Sequence, residues 1–246
     1  HIFVTAVEND KLFTIALDLK TGALKWRRES PRVRKEKLDK RNGPASPTAV
    51  ADGKSVFVFF PDYGLISYDF KGTERWRTPL GPFNNIYGMA ASPMLVDGKV
   101  ILVCDQASGS YIAAFQADTG KEVWRKPRPE AISGHSTPIL YQPAGANTAL
   151  ILAPGSLRMD AYAPGNGESL WWVNALPGEM KSGAVLLGDT VFVSGFNTPQ
   201  NDPGAQVAVP PFDEVLAAQD ADKSGALSTA EVTDKNTKDM FFFIDL

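Results

Sequence analysis

The sequence predicts an all-β protein built from repeated four-stranded sheets, and three observations carry this prediction. A segment that reads ALDLKTGALKW at residues 16–26 recurs three more times and ends each time in a tryptophan: Trp26, Trp76, Trp124 and Trp171. In every copy a glycine stands four residues before the tryptophan, and the tryptophans are 50, 48 and 47 residues apart. Between them, runs of β-branched and aromatic residues alternate with Gly, Asn and Asp, which is typical of short antiparallel strands.

Each complete repeat holds four short strands. In the second repeat the apolar runs are residues 46–50, 56–60, 65–68 and 74–77, and the third and fourth repeats follow the same pattern. A proline recurs in the first strand of each, at Pro47, Pro93 and Pro138. The first repeat is incomplete, and a fifth begins with strands over residues 183–187 and 190–194 and then leaves the pattern. Four strands in a repeat of this length predict a β-propeller, of which about four to five blades lie in this chain as part of a larger ring.

The glycine and the tryptophan of each repeat have separate expected roles. Glycine allows a positive φ in the turn between the third and fourth strands. The tryptophan is expected to point into the gap between neighbouring blades, where its burial contributes at most about 4–6 kcal/mol per blade. Aromatic platforms that stack on sugars or bases are the alternative interpretation. Trp172 follows Trp171, so it faces the other side of its strand and is the better candidate for exposure.

The repeat resembles that of a known family. The motif A-x-D-x-x-T-G-x-x-x-W, most complete at residues 16–26, is similar to the tryptophan-docking repeat of PQQ-like (quinoprotein-type) β-propeller proteins, where PQQ is pyrroloquinoline quinone. The resemblance covers residues 1 to about 195 and implies a propeller in a periplasmic, secreted or cell-surface location of a bacterium. It leaves activity open, because such propellers include quinone-dependent dehydrogenases, lipoproteins that assist outer-membrane protein assembly, and secreted proteins of unassigned role.

Two departures from the family weigh against a quinone enzyme. Methanol-type quinoproteins carry two adjacent cysteines against the cofactor, whereas this chain has Cys104 alone. Their site also needs carboxylate and amide ligands for a calcium ion, and no such set can be assigned here residue by residue. With two histidines in the chain, a histidine-rich metal site or a catalytic triad is not expected either. PQQ is therefore not the expected cofactor, and the residues favour a non-enzymatic role.

A segment of different composition interrupts the fifth repeat. Residues 197–211 are rich in Pro, Asn and Gly, and apolar residues then follow at helical spacing from Phe212 to Leu216. The next twelve residues, DADKSGALSTAE at 220–231, match the EF-hand calcium loop. The expected metal ligands, at loop positions 1, 3, 5, 7 (through its carbonyl), 9 and 12, are Asp220, Asp222, Ser224, Ala226, Ser228 and Glu231.

Calcium is the expected ion for this loop. Gly225 stands at the sixth position, where the loop turns sharply. Ser224 stands where Asp or Asn is usual, so three carboxylates remain and the affinity should be modest. A helix–acidic turn–helix that holds no metal is the alternative.

These patterns divide the chain in two. Residues 1–195 are expected to be propeller blades, the first and last incomplete, and residues 196–246 a linker with an EF-hand insertion. EF-hands generally work in pairs, so residues 238–244 would be the entering helix of a second loop that begins at Asp245 and is truncated at Leu246. On this hypothesis the sequence ends inside both the second EF-hand and the fifth blade.

Charge is distributed unevenly around a net value of −3. Residues 201–246 carry nine acids and three lysines, whereas residues 27–41 hold eight basic and three acidic residues. The basic run is expected to be a solvated loop between strands, and one short basic loop in an acidic protein is poor support for nucleic-acid binding. No apolar run is long enough to span a bilayer, so no transmembrane segment is expected.

A ligand-binding face can be placed from the topology of a propeller blade. The loops before the first strand and those between the second and third strands lie on one face, and their candidate ligand-contacting residues are Asp62, Asp105, Gln106 and His135, with Asn84, Asn85 and Tyr87 nearby. The insertion also leaves between a second and a third strand, so we expect the EF-hand to overhang this face. The alternative is that these polar residues only form turns.

The sequence therefore predicts an exported bacterial β-propeller that binds or scaffolds an unidentified protein or small molecule and carries a calcium-binding EF-hand. A PQQ-dependent dehydrogenase and an outer-membrane assembly-factor-like propeller are the alternatives.

Overall fold

Antiparallel sheets succeed one another along the chain in the computed structural model, which describes residues 1–178, 180–195, 211–228 and 230–233. The chain divides into two units between positions 196 and 197. The first unit is all-β. Repeated hairpins explain its topology, because every strand pairs with the strand that follows it within its own sheet.

The described residues of the first unit form five sheets. The first sheet has three strands, β1 (Ile2–Glu8), β2 (Lys11–Leu17) and β3 (Leu24–Ser30). The second has four, β4 (Val50–Ala51), β5 (Ser55–Phe60), β6 (Gly64–Asp69) and β7 (Glu74–Pro79). The third has four, β8 (Met94–Val96), β9 (Lys99–Cys104), β10 (Tyr111–Gln116) and β11 (Glu122–Pro127). The fourth has β12 (Ile139–Tyr141), β13 (Leu150–Gly155), β14 (Arg158–Tyr162) and β15 (Ser169–Asn174), and the fifth has β16 (Val185–Leu187) and β17 (Thr190–Phe192).

The core of this unit is divided into layers, each lying between two consecutive sheets. Strand β5 is buried at all six positions because its two faces serve two different layers. Val56, Val58 and Phe60 pack with Trp26 of the first sheet, whereas Phe57 and Phe59 pack against the third sheet. A strand that is buried on both faces must be continuously apolar, which explains the uninterrupted VFVFF run.

A tryptophan joins each of the first three sheets to the next one. The indole N–H groups of Trp26, Trp76 and Trp124 donate hydrogen bonds to main-chain carbonyls in the following repeat, at 2.9, 2.8 and 3.1 Å. Each acceptor lies two or three residues before the glycine of that repeat. A β-bulge precedes the tryptophan in all four repeats, at the same place in the pairing of the third and fourth strands.

The glycines leave room for these indoles. A Cβ atom on Gly120 would lie 2.4 Å from Trp76 Cε3, and one on Gly167 would lie 2.5 Å from Trp124 Cε3. The sequence predicted that these glycines are needed for their positive φ. The structure adds a second reason, because a side chain at Gly120 or Gly167 would collide with the indole. Gly22 has the same φ of +70° as Gly120, yet no atom lies within 4 Å of its Cβ position.

The first strand of each sheet from the second to the fifth is shorter than the sequence predicts. Strand β4 holds only Val50 and Ala51, although the pattern predicted a strand over residues 46–50. The residues that precede these strands form hydrogen bonds between consecutive repeats. The Thr48 N–H donates to Ser92 Oγ at 2.9 Å, and the Ser92 N–H donates to Thr137 Oγ1 at 3.0 Å. These residues link consecutive sheets and do not extend their own.

The second unit contains one helix within the described residues, α1 (Phe212–Gln219). Val215 on this helix is buried, as is Val232 beyond the acidic loop. None of the helices in the described part of the chain has the length and apolar character needed to cross a membrane.

Ser67 supplies a test of the packing inside these layers. Its hydroxyl is the one buried side-chain polar atom without a hydrogen-bond partner among the described residues. The equivalent residue of the other repeats is a buried alanine: Ala16, Ala114 or Ala161. An unpartnered buried hydroxyl costs about 1–3 kcal/mol. We therefore expect Ser67→Ala to raise the free energy of unfolding by about 1 kcal/mol in a denaturant titration.

The matched control is Ala114→Ser, which places a hydroxyl at the equivalent buried site of the next repeat and should lower the free energy of unfolding. A Ser67→Ala protein that is less stable than the parent would show that the hydroxyl has a bonding partner in solution.

Candidate functional site

The acidic loop over residues 220–231 begins where α1 ends. Its first residue, Asp220, follows the last helical residue, and its amide donates to the Leu216 carbonyl at 2.9 Å. Beyond the loop, the Thr233 N–H donates to Gln219 Oε1 at 3.1 Å, which ties the two ends of the loop together. The sequence thus forms a closed loop of the length that an EF-hand requires.

Asp220 and Asp222 organise the first half of the loop. Asp220 accepts hydrogen bonds from the Ser224 and Gly225 amides, at 3.0 and 2.9 Å, and Asp222 accepts one from the Ser224 amide at 3.0 Å. Gly225 has φ of +79°, which lets the chain reverse direction there. The carboxylates are held by the main chain, and their remaining lone pairs can serve a cation.

Glu231 closes the loop from the other side. Its Oε1 accepts hydrogen bonds from the Ala221 and Asp222 amides, at 2.9 and 3.3 Å. Its Oε2 accepts hydrogen bonds from the amide and hydroxyl of Ser228, at 2.8 and 2.7 Å. One oxygen from each of Asp220, Asp222 and Glu231 lies within 4.8 Å of the other two.

The electrostatics of the loop favour ionised carboxylates. Hydrogen bonds from Ser224 lower the pKa of Asp222, and those from the Ser228 main chain and hydroxyl lower the pKa of Glu231. The other expected ligands are also oxygens: the Ser224 hydroxyl lies 3.0 Å from the Ala226 carbonyl, and Ser228 bonds to Glu231. Hard oxygen donors of this kind suit calcium or magnesium and not softer metals. The predicted second loop, from Asp245, and its helix over residues 238–244 lie outside the described residues.

Asp62, one of the residues predicted on the ligand face, is enclosed in the protein. It follows β5, is fully buried, and accepts hydrogen bonds from Arg32 Nε at 2.7 Å and from the Glu36 amide at 2.8 Å. Arg32 also bonds to Asp10 of the first sheet. The basic run is therefore not simply a solvated loop, because a buried carboxylate needs a cation beside it.

Asp105 has the same kind of partner in the next repeat. Arg128, which is buried, directs Nε and Nη2 to the two oxygens of Asp105 at 2.7 and 3.2 Å. It also donates to the Tyr162 hydroxyl at 2.9 Å and lies 3.5 Å from Asp160, both on the fourth sheet. Burial opposes the charge of this guanidinium, but Asp105 raises the pKa of Arg128 above its ordinary value. The pair connects the third and fourth sheets.

Gln106 and His135 complete the predicted face. Gln106 Oε1 accepts a hydrogen bond from the Asn84 amide at 2.8 Å, and Asn85 Nδ2 donates to the Asp105 carbonyl at 2.8 Å. The His135 ring lies 5.7 Å from that of Tyr87, centroid to centroid. The structure thus brings together the loops that precede the first strand and those that follow the second. A ligand-binding role for the four residues stays a prediction, and burial of Asp62, Asp105 and Gln106 leaves His135 as its most accessible member.

Two residues of these clusters, Arg32 and Arg128, were not singled out from the sequence. Arg32 stands six residues after the tryptophan of its repeat and Arg128 stands four residues after its own, so no fixed spacing marks them. Cys104 adjoins the cluster but is inert as a nucleophile, because burial raises the pKa of its thiol to about 12.

Comparison with known proteins places the fold among bacterial propellers. One curated relative, the quinohemoprotein alcohol dehydrogenase ADH IIB of Pseudomonas putida, is 33% identical over 116 residues, which are 45% of this chain and 17% of that protein. The crystal structure of BamB from Moraxella catarrhalis superposes with a TM-score of 0.52 at 16% identity, over 78% of this chain and 57% of that one. A second quinohemoprotein alcohol dehydrogenase, ADHIIG of Pseudomonas putida, superposes with a TM-score of 0.50 at 21% identity. The superposition covers 71% of this chain and 34% of that one. At such identities the likeness shows the fold alone.

The chain spans little more than half the length of the BamB structure and a smaller share of the dehydrogenases. The match to a family model is broader. The model described as outer membrane protein assembly factor BamB matches residues 11–225, most of the chain. The chain therefore belongs to this PQQ-like β-propeller family.

Proposed function

We propose that this chain is part of an exported bacterial propeller that acts as a binding scaffold and carries a calcium-binding EF-hand loop. The observation that carries the calcium assignment is the convergence of Asp220, Asp222 and Glu231 oxygens within 4.8 Å. Ser224, Ser228 and the Ala226 carbonyl would complete the six to eight oxygens that calcium takes. Calcium bound there would neutralise the carboxylates and hold the two halves of the loop together.

A scaffold role fits the chemistry of the propeller unit. The buried carboxylates of Asp62 and Asp105 each face an arginine, so they support the joints between sheets and are not available for acid–base work. The relatives in this family include BamB, which is described as an outer membrane protein assembly factor. This similarity favours a scaffold that lies outside the cytoplasm and helps to assemble other proteins.

Quinone-dependent dehydrogenation is a second candidate, favoured by the 33% identity to a quinohemoprotein alcohol dehydrogenase. A PQQ site needs carboxylates for its calcium ion. Asp62 and Asp105 do not fit this requirement, because they are already bound by Arg32 and Arg128.

Calcium binding is tested by calorimetric titration of the chain with Ca²⁺. We expect saturable binding at one site, weakened at least tenfold in Asp220→Asn and in Glu231→Gln, since each removes a charged ligand. The matched control is Asp213→Asn, which removes an exposed carboxylate from the first turn of α1 outside the loop. Ordinary carboxylates are already ionised at pH 6, and hydrogen bonds lower the pKa values of Asp222 and Glu231 further, so the affinity should hold as the pH falls from about 8 to about 6.

Unchanged calcium affinity in both loop variants would show that calcium does not bind at this loop. A loss of affinity between pH 8 and 6 would instead mean that the carboxylates are not ionised as the hydrogen bonds require.

The choice between scaffold and dehydrogenase is tested by spectrophotometric titration with PQQ in the presence of calcium. We expect no saturable change in the absorbance of PQQ, because Asp62 and Asp105, the buried carboxylates of the candidate ligand face, are paired with arginines. A stoichiometric spectral shift, absent after heat denaturation of the chain, would overturn this assignment and favour the dehydrogenase.

A further inference from the structure

The contact between the third and fourth sheets is open at a point where the two earlier contacts are closed. In those two, the side chain two residues after the tryptophan donates a hydrogen bond at 2.7 Å to the carbonyl of the facing glycine: Arg28 to Gly72, and Thr78 to Gly120. The equivalent residues between the third and fourth sheets are Lys126 and Gly167. No donor among the described residues reaches the Gly167 carbonyl.

A cleft of about 400 Å³ lies at this open contact. Lys126 and Glu130 line it from the third repeat, and Arg158, Glu168 and Ser169 line it from the fourth. Small-molecule sites are commonly clefts of roughly 300–1,000 Å³ that hold a few convergent polar groups. The cleft therefore has the size and the polar lining of a site for one small ligand.

Most of the charge in the cleft is cancelled by internal pairs. Arg158 Nε donates to Asp160 at 2.7 Å, and Arg158 Nη1 lies 3.7 Å from Glu130. One cation, Lys126, and one anion, Glu168, remain, and neither forms an ion pair within the described residues. The cleft thus has no excess of free charge of either sign, and its free groups are hydrogen-bond donors and acceptors.

An aromatic ring stands at the edge of the cleft. Trp172 pairs with Asp160 between β14 and β15, so the two side chains lie on the same face of the sheet. Arg158 lies over the Trp172 ring at 4.7 Å, and 54% of the residue is exposed. The equivalent residues of the second and third sheets are Arg77 and Arg125, so the ring is specific to this contact.

We propose that this cleft binds a neutral sugar, either free or as one unit of a longer saccharide. Each sugar hydroxyl both donates and accepts, so a sugar can donate hydrogen bonds to the Gly167 carbonyl and the Glu168 carboxylate and accept one from the Lys126 ammonium. Its apolar C–H face can lie against the exposed indole of Trp172. An uncharged ligand of this kind matches a cleft in which donors, acceptors and an aromatic ring are present without a free net charge.

The ligand class is tested by calorimetric titration of the chain with three probe sugars: glucose, galactose and N-acetylglucosamine. We expect saturable binding of at least one of them. Its dissociation constant should not change between about 50 and about 500 mM NaCl, because salt screens no attraction to an uncharged ligand. Saturable binding of none of the three sugars overturns the proposal. So does binding of glycine or acetate in place of the sugars, because the cleft would then select charge.

The location is tested with Lys126→Arg, which introduces the residue that closes the contact between the first two sheets. We expect this arginine to bond to the Gly167 carbonyl as Arg28 bonds to Gly72, and to weaken sugar binding about tenfold or more. The matched control is Lys121→Arg, which changes an exposed lysine outside the cleft and should leave the dissociation constant unchanged.

The aromatic contact is tested with Trp172→Ala and Trp172→Phe. The alanine variant should weaken sugar binding about tenfold or more, and the phenylalanine variant, which keeps an aromatic face, should recover most of the affinity. Thermal melts check that each variant is folded. Unchanged sugar affinity in Lys126→Arg or in Trp172→Ala overturns the proposal, as does a loss of affinity in Lys121→Arg.

Discussion

The contact between the tryptophan of each of the first three sheets and the glycine turn of the next sheet is the interaction on which the propeller unit depends. A single sheet of four short strands is marginally stable alone, because it leaves both faces open to water. The indoles of Trp26, Trp76 and Trp124 close these faces at the outer strands, and each adds a hydrogen bond to the next turn. The core is accordingly a series of layers between sheets, without one common centre.

Several polar residues in this unit stabilise the same joints between sheets. Thr48 and Ser92 link successive first strands, and the Asp62–Arg32 and Asp105–Arg128 pairs link successive sheets on the face predicted to bind a ligand. A buried ion pair of this kind specifies one arrangement of neighbours, because removing either partner leaves an uncompensated charge. The features that set this chain apart from a bare repeat are the acidic loop and the cleft between the third and fourth sheets.

The sequence predicted the strands well because the alternation of side chains and the turn glycines are local signals. Strand β5, for example, was expected at residues 56–60 and is Ser55–Phe60. The first strands were predicted too long, since the bonding of Thr48 to Ser92 is between sheets and leaves no periodic mark. For the same reason the arginines beside Asp62 and Asp105 were not foreseen. The acidic loop was found from spacing alone, because its twelve residues bring their own ligands together; its calcium remains a proposal.

The most direct test of the tryptophan–glycine joint compares Gly120→Ala with Gly22→Ala in denaturant-induced unfolding. Both glycines have φ of +70°, so each substitution carries the same backbone strain of about 1–2 kcal/mol. Only the methyl at position 120 would collide with an indole, that of Trp76. The account predicts that Gly120→Ala lowers the free energy of unfolding by at least about 1 kcal/mol more than Gly22→Ala. Equal losses in the two variants would contradict it, because the glycine would then be required for its φ alone.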